Sequence, residues 1–299
     1  MRNPPSEIIA LAPEPPYNAM MPKEKTGPPP WRVGVVSYLN VRPMLWGLEA
    51  NPAIELCPAV PARLGEWIDT GRVHAGTVPV VDYQRSAREW QILPAGAIGS
   101  LGEILTVRLF SRAAPAELST IHGDTDSHTS VILAQVLWRL CFGRELTVLP
   151  LEGDPRAPDA VLLIGDKVLN HLGQWPFELD LGAAWTASTG LPSVTACWAA
   201  PADLDARELA AILETSRRAG LADLPAVARQ YAPRHGFTPA AALAYLRDNL
   251  HYELGPAQQA GLRKFFQLAC AYGLLPQNRE LNLAKLRNPL AADFADKHG

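Results

Sequence analysis

Two stretches of the chain gather hydroxyl, amide and imidazole groups closely enough to handle a small molecule. The first, Ser37-Tyr38-Leu39-Asn40, follows the apolar run Val33-Gly34-Val35-Val36 and precedes Pro43. A hydroxyl at 37 and a carboxamide at 40 can each donate to an anionic or hydroxylated ligand. The same residue types are favoured helix caps, and a helix opening near Pro43 would use them that way instead. The second stretch, Asp124 to Ser130, lies just ahead of an amphipathic run. Unpaired N–H groups of a first helical turn, with the hydroxyls of Ser127, Thr129 and Ser130 beside them, suit a carboxylate. Ordinary capping by Ser127 or Thr129 is the alternative, although it calls for one hydroxyl rather than three. Asp126 sets a negative charge in that neighbourhood, and His128 lies within it.

Other chemistries are disfavoured. Gly96, Gly99 and Gly102, with Ser100 and Thr106, mark a flexible loop with no helix directly behind it to make a phosphate cradle. The seven histidines form no HExxH pairing, and Cys57, Cys141, Cys197 and Cys270 form no CxxC pair, so neither a metal site nor a redox couple is expected. The cysteines read as buried thiols. No GxSxG elbow announces a hydrolase.

Holding the two stretches in place requires strands that end beside them. Arg32 to Val36, Ile54 to Cys57 and Ala75 to Val78 read as strands, alternating with helices from Pro43 to Leu48 and Pro61 to Asp69, which implies a parallel layered sheet. In such sheets ligands sit beyond the carboxyl ends of strands, where Ser37 to Asn40 lie. Gln91 to Leu93 adds an edge segment, Ala95 to Gly102 reads as loop, and Ile104 to Phe110 as a long strand leaving for a second lobe. There the pattern restarts with strands at Thr120 to His122, Thr147 to Pro150 and Ala160 to Ile164, and helices at Thr129 to Phe142 and Leu181 to Thr189. Val194 to Trp198 would return to the first lobe, and helices alone follow from about Ala206. The division expected is a Pro-rich disordered tail over 1–30, a first lobe of 31–110 plus 199–299, and a second of 111–198.

With 299 residues, 48% of them hydrophobic, the chain can bury a large core. A formal charge of -3 and no basic stripe argue against nucleic acid, and no run reaches the length of a membrane span. The opening apolar run Ile8 to Ala12 is too short for a signal-peptide core, so a cytoplasmic location is expected.

Several pieces in fixed order resemble the chorismate dehydratase family of menaquinone biosynthesis by the futalosine pathway. They are Val33 to Pro43, Gly76-Thr-Val-Pro79, Ile98-Gly-Ser100, Leu109-Phe-Ser111, Thr129-Ser-Val131, Leu163-Ile-Gly-Asp166 and Asp180 to Trp185 followed by Thr189-Gly-Leu-Pro192. The resemblance spans residue 31 to about residue 275. It implies an α/β, two-lobed, type 2 periplasmic-binding-protein-like fold with extra C-terminal helices. It implies loss of water from chorismate without metal or organic cofactor. It carries over Asn40 and Thr106 as catalytic, with Ser37, Tyr38, Leu39, Gly99, Ser100, Ser127, His128, Thr129 and Ser130 around the substrate. Two positions depart from the family pattern. Thr106 stands where Ser is commoner, and Ser127-His128 stands where Ser-Arg is commoner, removing a permanent bidentate cation.

The expected elimination takes the C3 proton and the C4 hydroxyl. The resembling motifs hold no evident protein base, so the substrate's own enolpyruvyl carboxylate is the expected proton acceptor, with Asp126 and His128 as local rivals. Two other functions fit the fold: a non-enzymatic small-molecule binder or sensor, and the related 1,4-dihydroxy-6-naphthoate synthase.

Overall fold

A computed structural model describes residues 29–285; the proline-rich tail lies outside them except for its last two positions. Among the described residues ten strands form two five-stranded sheets. The first contains β1 (Trp31–Val35), β2 (Ile54–Pro58), β3 (Ala75–Pro79), β4 (Trp90–Ser100) and β10 (Ser193–Pro201), in the order β2-β1-β3-β10-β4. The second contains β5 (Val107–Ser111), β6 (Thr120–Gly123), β7 (Thr147–Pro150), β8 (Ala160–Ile164) and β9 (Phe177–Asp180), in the order β7-β6-β8-β5-β9. In each sheet three strands run parallel and the remaining two join antiparallel. The chain therefore forms an α/β molecule of two lobes.

Amphipathic helices cover the sheets for legible reasons. In α1 (Pro61–Asp69) proline occupies the first turn, where its missing N–H costs nothing, and Leu64, Trp67 and Ile68 are buried. The short α2 (Val80–Arg85) continues directly from β3. The Ser127 hydroxyl caps α3 (His128–Phe142), and Gly143 ends it in the left-handed region. Asp180 caps α4 (Leu181–Thr189). The C-terminal layer comprises α5 (Arg207–Ala222), α6 (Leu224–Tyr231), α7 (Pro239–Ala244) and α8 (Pro256–Ala271). Helix α5 lies so close to the opening turn that a Cβ on Gly220 would stand 2.0 Å from the Pro43 carbonyl oxygen. Helix α8 packs on both α3 and β10, tying the two lobes together.

Several expected boundaries shift. The glycine-rich stretch 95–102, read as loop, is mostly strand: Gly99 and Ser100 pair with Val194 and Ser193 in the β4–β10 ladder. Glycine occurs there because the partner backbone approaches closely, as it does in strand interiors, and not because the chain is loose. The strand expected over 104–110 starts only at Val107, since residues 101–106 make the crossing between lobes. Boundaries placed at 110/111 and 198/199 fall inside strands; β5 belongs wholly to the second sheet and β10 wholly to the first. Strand β9 was not expected at all. The helix expected from Pro43 is a 3-10 turn over Leu39–Leu45 with Pro43 inside it, and α7 gives way at Tyr245–Asn249 to a π-helical turn.

A Cβ on Gly99 would lie 2.2 Å from the Ser193 carbonyl oxygen. Gly99→Ala should therefore destabilise the protein by about 1–3 kcal/mol through forced separation of β4 and β10. Urea unfolding checks this, and a loss below about 0.5 kcal/mol, the range of ordinary surface changes, would contradict the packing described.

Candidate active site

Between the sheets lies a cleft lined from both lobes. The first lobe lines it with Val36, Tyr38, Asn40, Pro61, Thr77, Pro79, Ile98, Thr195 and Ala196. The crossing segment and second lobe add Ile104, Thr106, Val107, Ser127, Thr129, Ser130, Ile164 and Gly165. The wall is apolar with hydroxyls and one carboxamide set into it. It contains no carboxylate, imidazole, ammonium or guanidinium group.

Thr106 is held with particular care. Its N–H returns to the Ile104 carbonyl at 2.8 Å, across Leu105 at φ 66°, the one non-glycine residue with positive φ among those described. A tight turn of that kind is strained and persists only where its surroundings over-determine it. Asp180 supplies the restraint: its carboxylate accepts the N–H of Ile104 at 3.1 Å and of Leu105 at 2.8 Å, while also accepting the Ala183 N–H as the α4 cap. Burial pushes the Asp180 carboxyl above its ordinary value, against those N–H donors and Arg108, which lower it.

Behind the wall, Thr106 Oγ1 and Tyr245 Oη are 2.6 Å apart, and the Asn40 side chain reaches the same phenol. Burial raises the Tyr245 pKa, so its proton stays in place. The Asn40 carboxamide oxygen is buried with no partner, as is the Thr77 hydroxyl. Both residues line the cleft, and buried polar atoms without a partner are unusual in a folded protein. A bulge in β10 between Val194 and Ala196 turns Thr195 into the cleft, where its hydroxyl donates to the Ile98 carbonyl and its own carbonyl accepts from Thr129.

Of the residues singled out in the sequence, Tyr38, Asn40, Thr106, Ser127, Thr129 and Ser130 meet in this cleft. Ser127 also accepts the Ser130 N–H at 3.2 Å, so capping and site formation coexist at α3. The remaining five lie outside the lining. Ser37 is exposed, and only its carbonyl is engaged, by Arg42 at 3.5 Å. Leu39 is a fully buried core side chain. Gly99 serves strand pairing, and the Ser100 hydroxyl is spent on Ser193 at 2.9 Å and the Gly102 carbonyl. His128 turns away from Ser127 and Thr129, as successive residues on a helix must, and its Nδ1 sits 2.6 Å from Asp82 of α2. Asp126 is likewise absent from the wall, with Lys167 Nζ at 3.5 Å.

Thr77, Thr195, Gly165, Asp180 and Tyr245 escaped the residue-level reading as site groups. Thr77, Gly165 and Asp180 fall within stretches singled out above, which was the available signal. Tyr245 had none, because its role depends on a π-helical turn about 140 residues beyond Thr106. Tyr38 is the lone ionisable side chain of the wall. Burial, followed by Asp126, Asp124 and Asp166, raises its pKa and keeps the phenol neutral. Among the described residues no cluster of three or more His, Cys, Asp or Glu could hold a metal, and no helix is long and apolar enough to cross a membrane.

Residues 31–271 match the family model described as menaquinone biosynthesis. A chorismate dehydratase from Thermus thermophilus is 30% identical over 259 residues, covering 79% of this chain and 94% of the relative. Among solved structures, a protein from Archaeoglobus fulgidus is similar with a TM-score of 0.66 at 18% identity, covering 82% of this chain and 98% of its own. The periplasmic aliphatic sulphonate binding protein of Escherichia coli follows at 0.61 and 14% identity, covering 87% and 93%. A Candida albicans protein described as having the generic periplasmic binding protein fold scores 0.57 at 9% identity, covering 88% and 99%. The two-lobed fold is thus that of the periplasmic binding proteins.

The hydrogen bond that His128 donates to the Asp82 carboxylate is the main cause raising the His128 pKa. A raised imidazole contributes stability that is complete below its ordinary value of about 6.5 and is lost as pH climbs through the elevated one. Unfolding midpoints of the parent should therefore exceed those of Asp82→Asn at acidic to neutral pH and converge on them as the solution becomes alkaline. A difference that grew with rising pH would contradict this pairing.

Proposed function

The chain belongs to the menaquinone biosynthesis family, and from that premise we propose that it is a hydro-lyase removing water from chorismate to give 3-[(1-carboxyvinyl)oxy]benzoate. What carries the reading is a cleft wall of hydroxyls and one carboxamide with no protein base, joined to kinship with a chorismate dehydratase. An elimination whose substrate brings its own base suits such a wall.

The C3 hydrogen of chorismate is vinylogous to the ring carboxylate, so negative charge arising at C3 spreads onto that group. Placing the ring carboxylate against the start of α3 and the hydroxyl of Ser130 stabilises that charge where it develops. The enolpyruvyl carboxylate, held over C3, takes the proton. Because the two ring oxygens are trans, the C3 hydrogen and C4 hydroxyl leave from one face. The carboxylic acid just formed can return its proton to the departing oxygen, and water is released with no net proton change.

Asn40 orients the C4 hydroxyl through its otherwise unpartnered carboxamide oxygen. Thr106, with Tyr245 donating to it, directs its own hydroxyl hydrogen at the leaving oxygen. Thr77 donates to a substrate carboxylate. Tyr38 closes the mouth as a neutral donor. The commonest ways to help a carboxylate, lysine and arginine, are absent from the wall, so recognition rests on neutral donors in a dry site.

Incubation of the purified protein with chorismate should yield a product lighter by one water, detected by mass analysis. Asn40→Ala should lower kcat by about a hundredfold, the usual cost of one preorganised polar group, while His128→Ala should stay within about threefold. Stabilisation by chorismate without any product would instead select the non-enzymatic binder. Turnover of cyclic dehypoxanthine futalosine would select the naphthoate synthase.

A further inference from the structure

Asn40 stands on a short turn after β1, and its carboxamide oxygen has no protein partner. Backbone support for that turn comes from the opposite lobe. Beyond β8 the chain turns at Gly165, φ 70°, into Asp166. Both carboxylate oxygens of Asp166 lie 3.2 Å from the N–H of Leu39, the residue immediately before Asn40. That N–H opens the 3-10 turn Leu39–Leu45 and has no partner within it.

The fit around this contact is close. A Cβ on Gly165 would fall 2.7 Å from Cε1, 2.8 Å from Cδ1 and 2.9 Å from Cζ of Tyr38, so only glycine leaves room for that ring. Two neighbouring residues of the second lobe therefore grip Tyr38 and Leu39 of the first, one by shape and one by charge.

Asp166 is itself aimed. His235, in the turn after α6, places Nδ1 2.6 Å from Asp166 Oδ2, and its side chain is 8% exposed. A proton on Nδ1 donated to the carboxylate fixes both the ring and the oxygen. The far nitrogen, Nε2, is buried with no partner, so the imidazole makes this one polar contact and no other. The segment that carries His235 also carries Tyr245, which meets the Asn40 side chain. Backbone and side chain of the Asn40 loop are thus supported from one C-terminal segment, the backbone through Asp166.

We propose that Asp166, oriented by His235, is a positioning residue for Asn40, setting its carboxamide only when the second lobe's turn is docked on Leu39. This rests on the chorismate dehydratase reading for its catalytic consequence, but not for its structural one. An aspartate suits the task because it accepts from Leu39 N–H and His235 Nδ1–H together. An asparagine has a single acceptor oxygen and must present an amide hydrogen to one of these donors. Misplacement of a reacting group by a fraction of a bond length is costly even when the altered residue is remote.

The test uses the full chain and four readouts. Asp166→Asn should lower kcat for chorismate at least about tenfold, with KM changed less than about threefold. In an Asn40→Ala background the same substitution should add less than about twofold, because the group it positions is already gone. His235→Asn retains an N–H near Nδ1 and should stay within about threefold of the parent, whereas His235→Leu, similar in bulk without a donor, should match Asp166→Asn. Hydrogen exchange at the Leu39 amide should be protected in the parent and faster in Asp166→Asn, a readout that needs no substrate. Full kcat in Asp166→Asn, an undiminished effect on Asn40→Ala, or equal activity of the two His235 variants would overturn the proposal. If the parent does not turn over chorismate, the functional reading fails on its own. The amide exchange then decides the clasp, and unchanged protection of Leu39 in Asp166→Asn would overturn it. Should Asp166→Asn fail to fold, the His235 pair decides by the same criteria.

Discussion

The interaction on which the site depends is the 2.6 Å contact between the hydroxyls of Thr106 and Tyr245. It is buried where the chain leaves the first lobe for the second, and it joins that crossing to the C-terminal helices. Burial keeps the phenol protonated, so the contact remains a neutral hydrogen bond instead of becoming a charge. In a dry environment a satisfied neutral pair is stable, while an unpaired ion would cost several kilocalories per mole. The same condition extends along the cleft wall, where Tyr38 is also held neutral. A site built this way can orient and donate, but it offers no group to accept a proton from carbon.

That limit accounts for the placement of charge in the surrounding structure. Carboxylates stand just outside the wall and are used to hold backbone. Asp180 takes two N–H groups of the strained turn before Thr106. Asp166 takes the Leu39 N–H. Asp124 accepts the Ile164 N–H and sits 2.5 Å from Lys167 Nζ. Each side chain fixes backbone beside the cleft, where the positioning of a bound molecule needs rigidity. The π-helical turn at Tyr245–Asn249 belongs to the same pattern, since such turns re-aim a side chain at the expense of regular helix.

Much of this was legible in the residues before any coordinates. The alternation of apolar runs with capped helices marked a layered α/β chain, and the hydroxyl-rich stretch Ser127 to Ser130 proved to cap α3 and line the cleft together. What escaped had physical causes. Glycines at 96 and 99 look like a loop in one dimension, because the close approach of Tyr252 and Ser193 that requires them is made by distant chain. Strand β9 is four residues long and partly exposed, too short to show alternation. His128 shares a stretch with site residues, but its direction is set by Asp82, 46 positions earlier. Tyr245 enters through tertiary packing alone.

The central claim is that the proton acceptor belongs to the substrate. It is tested most directly by a chorismate analogue whose enolpyruvyl carboxylate is replaced by a carboxamide, leaving the ring carboxylate intact. The analogue should bind the cleft, as competitive inhibition of chorismate turnover would report, yet lose no water, since a neutral amide cannot take the C3 proton. Dehydration of the analogue at a rate comparable to chorismate would show that the protein supplies the base, and would contradict the account.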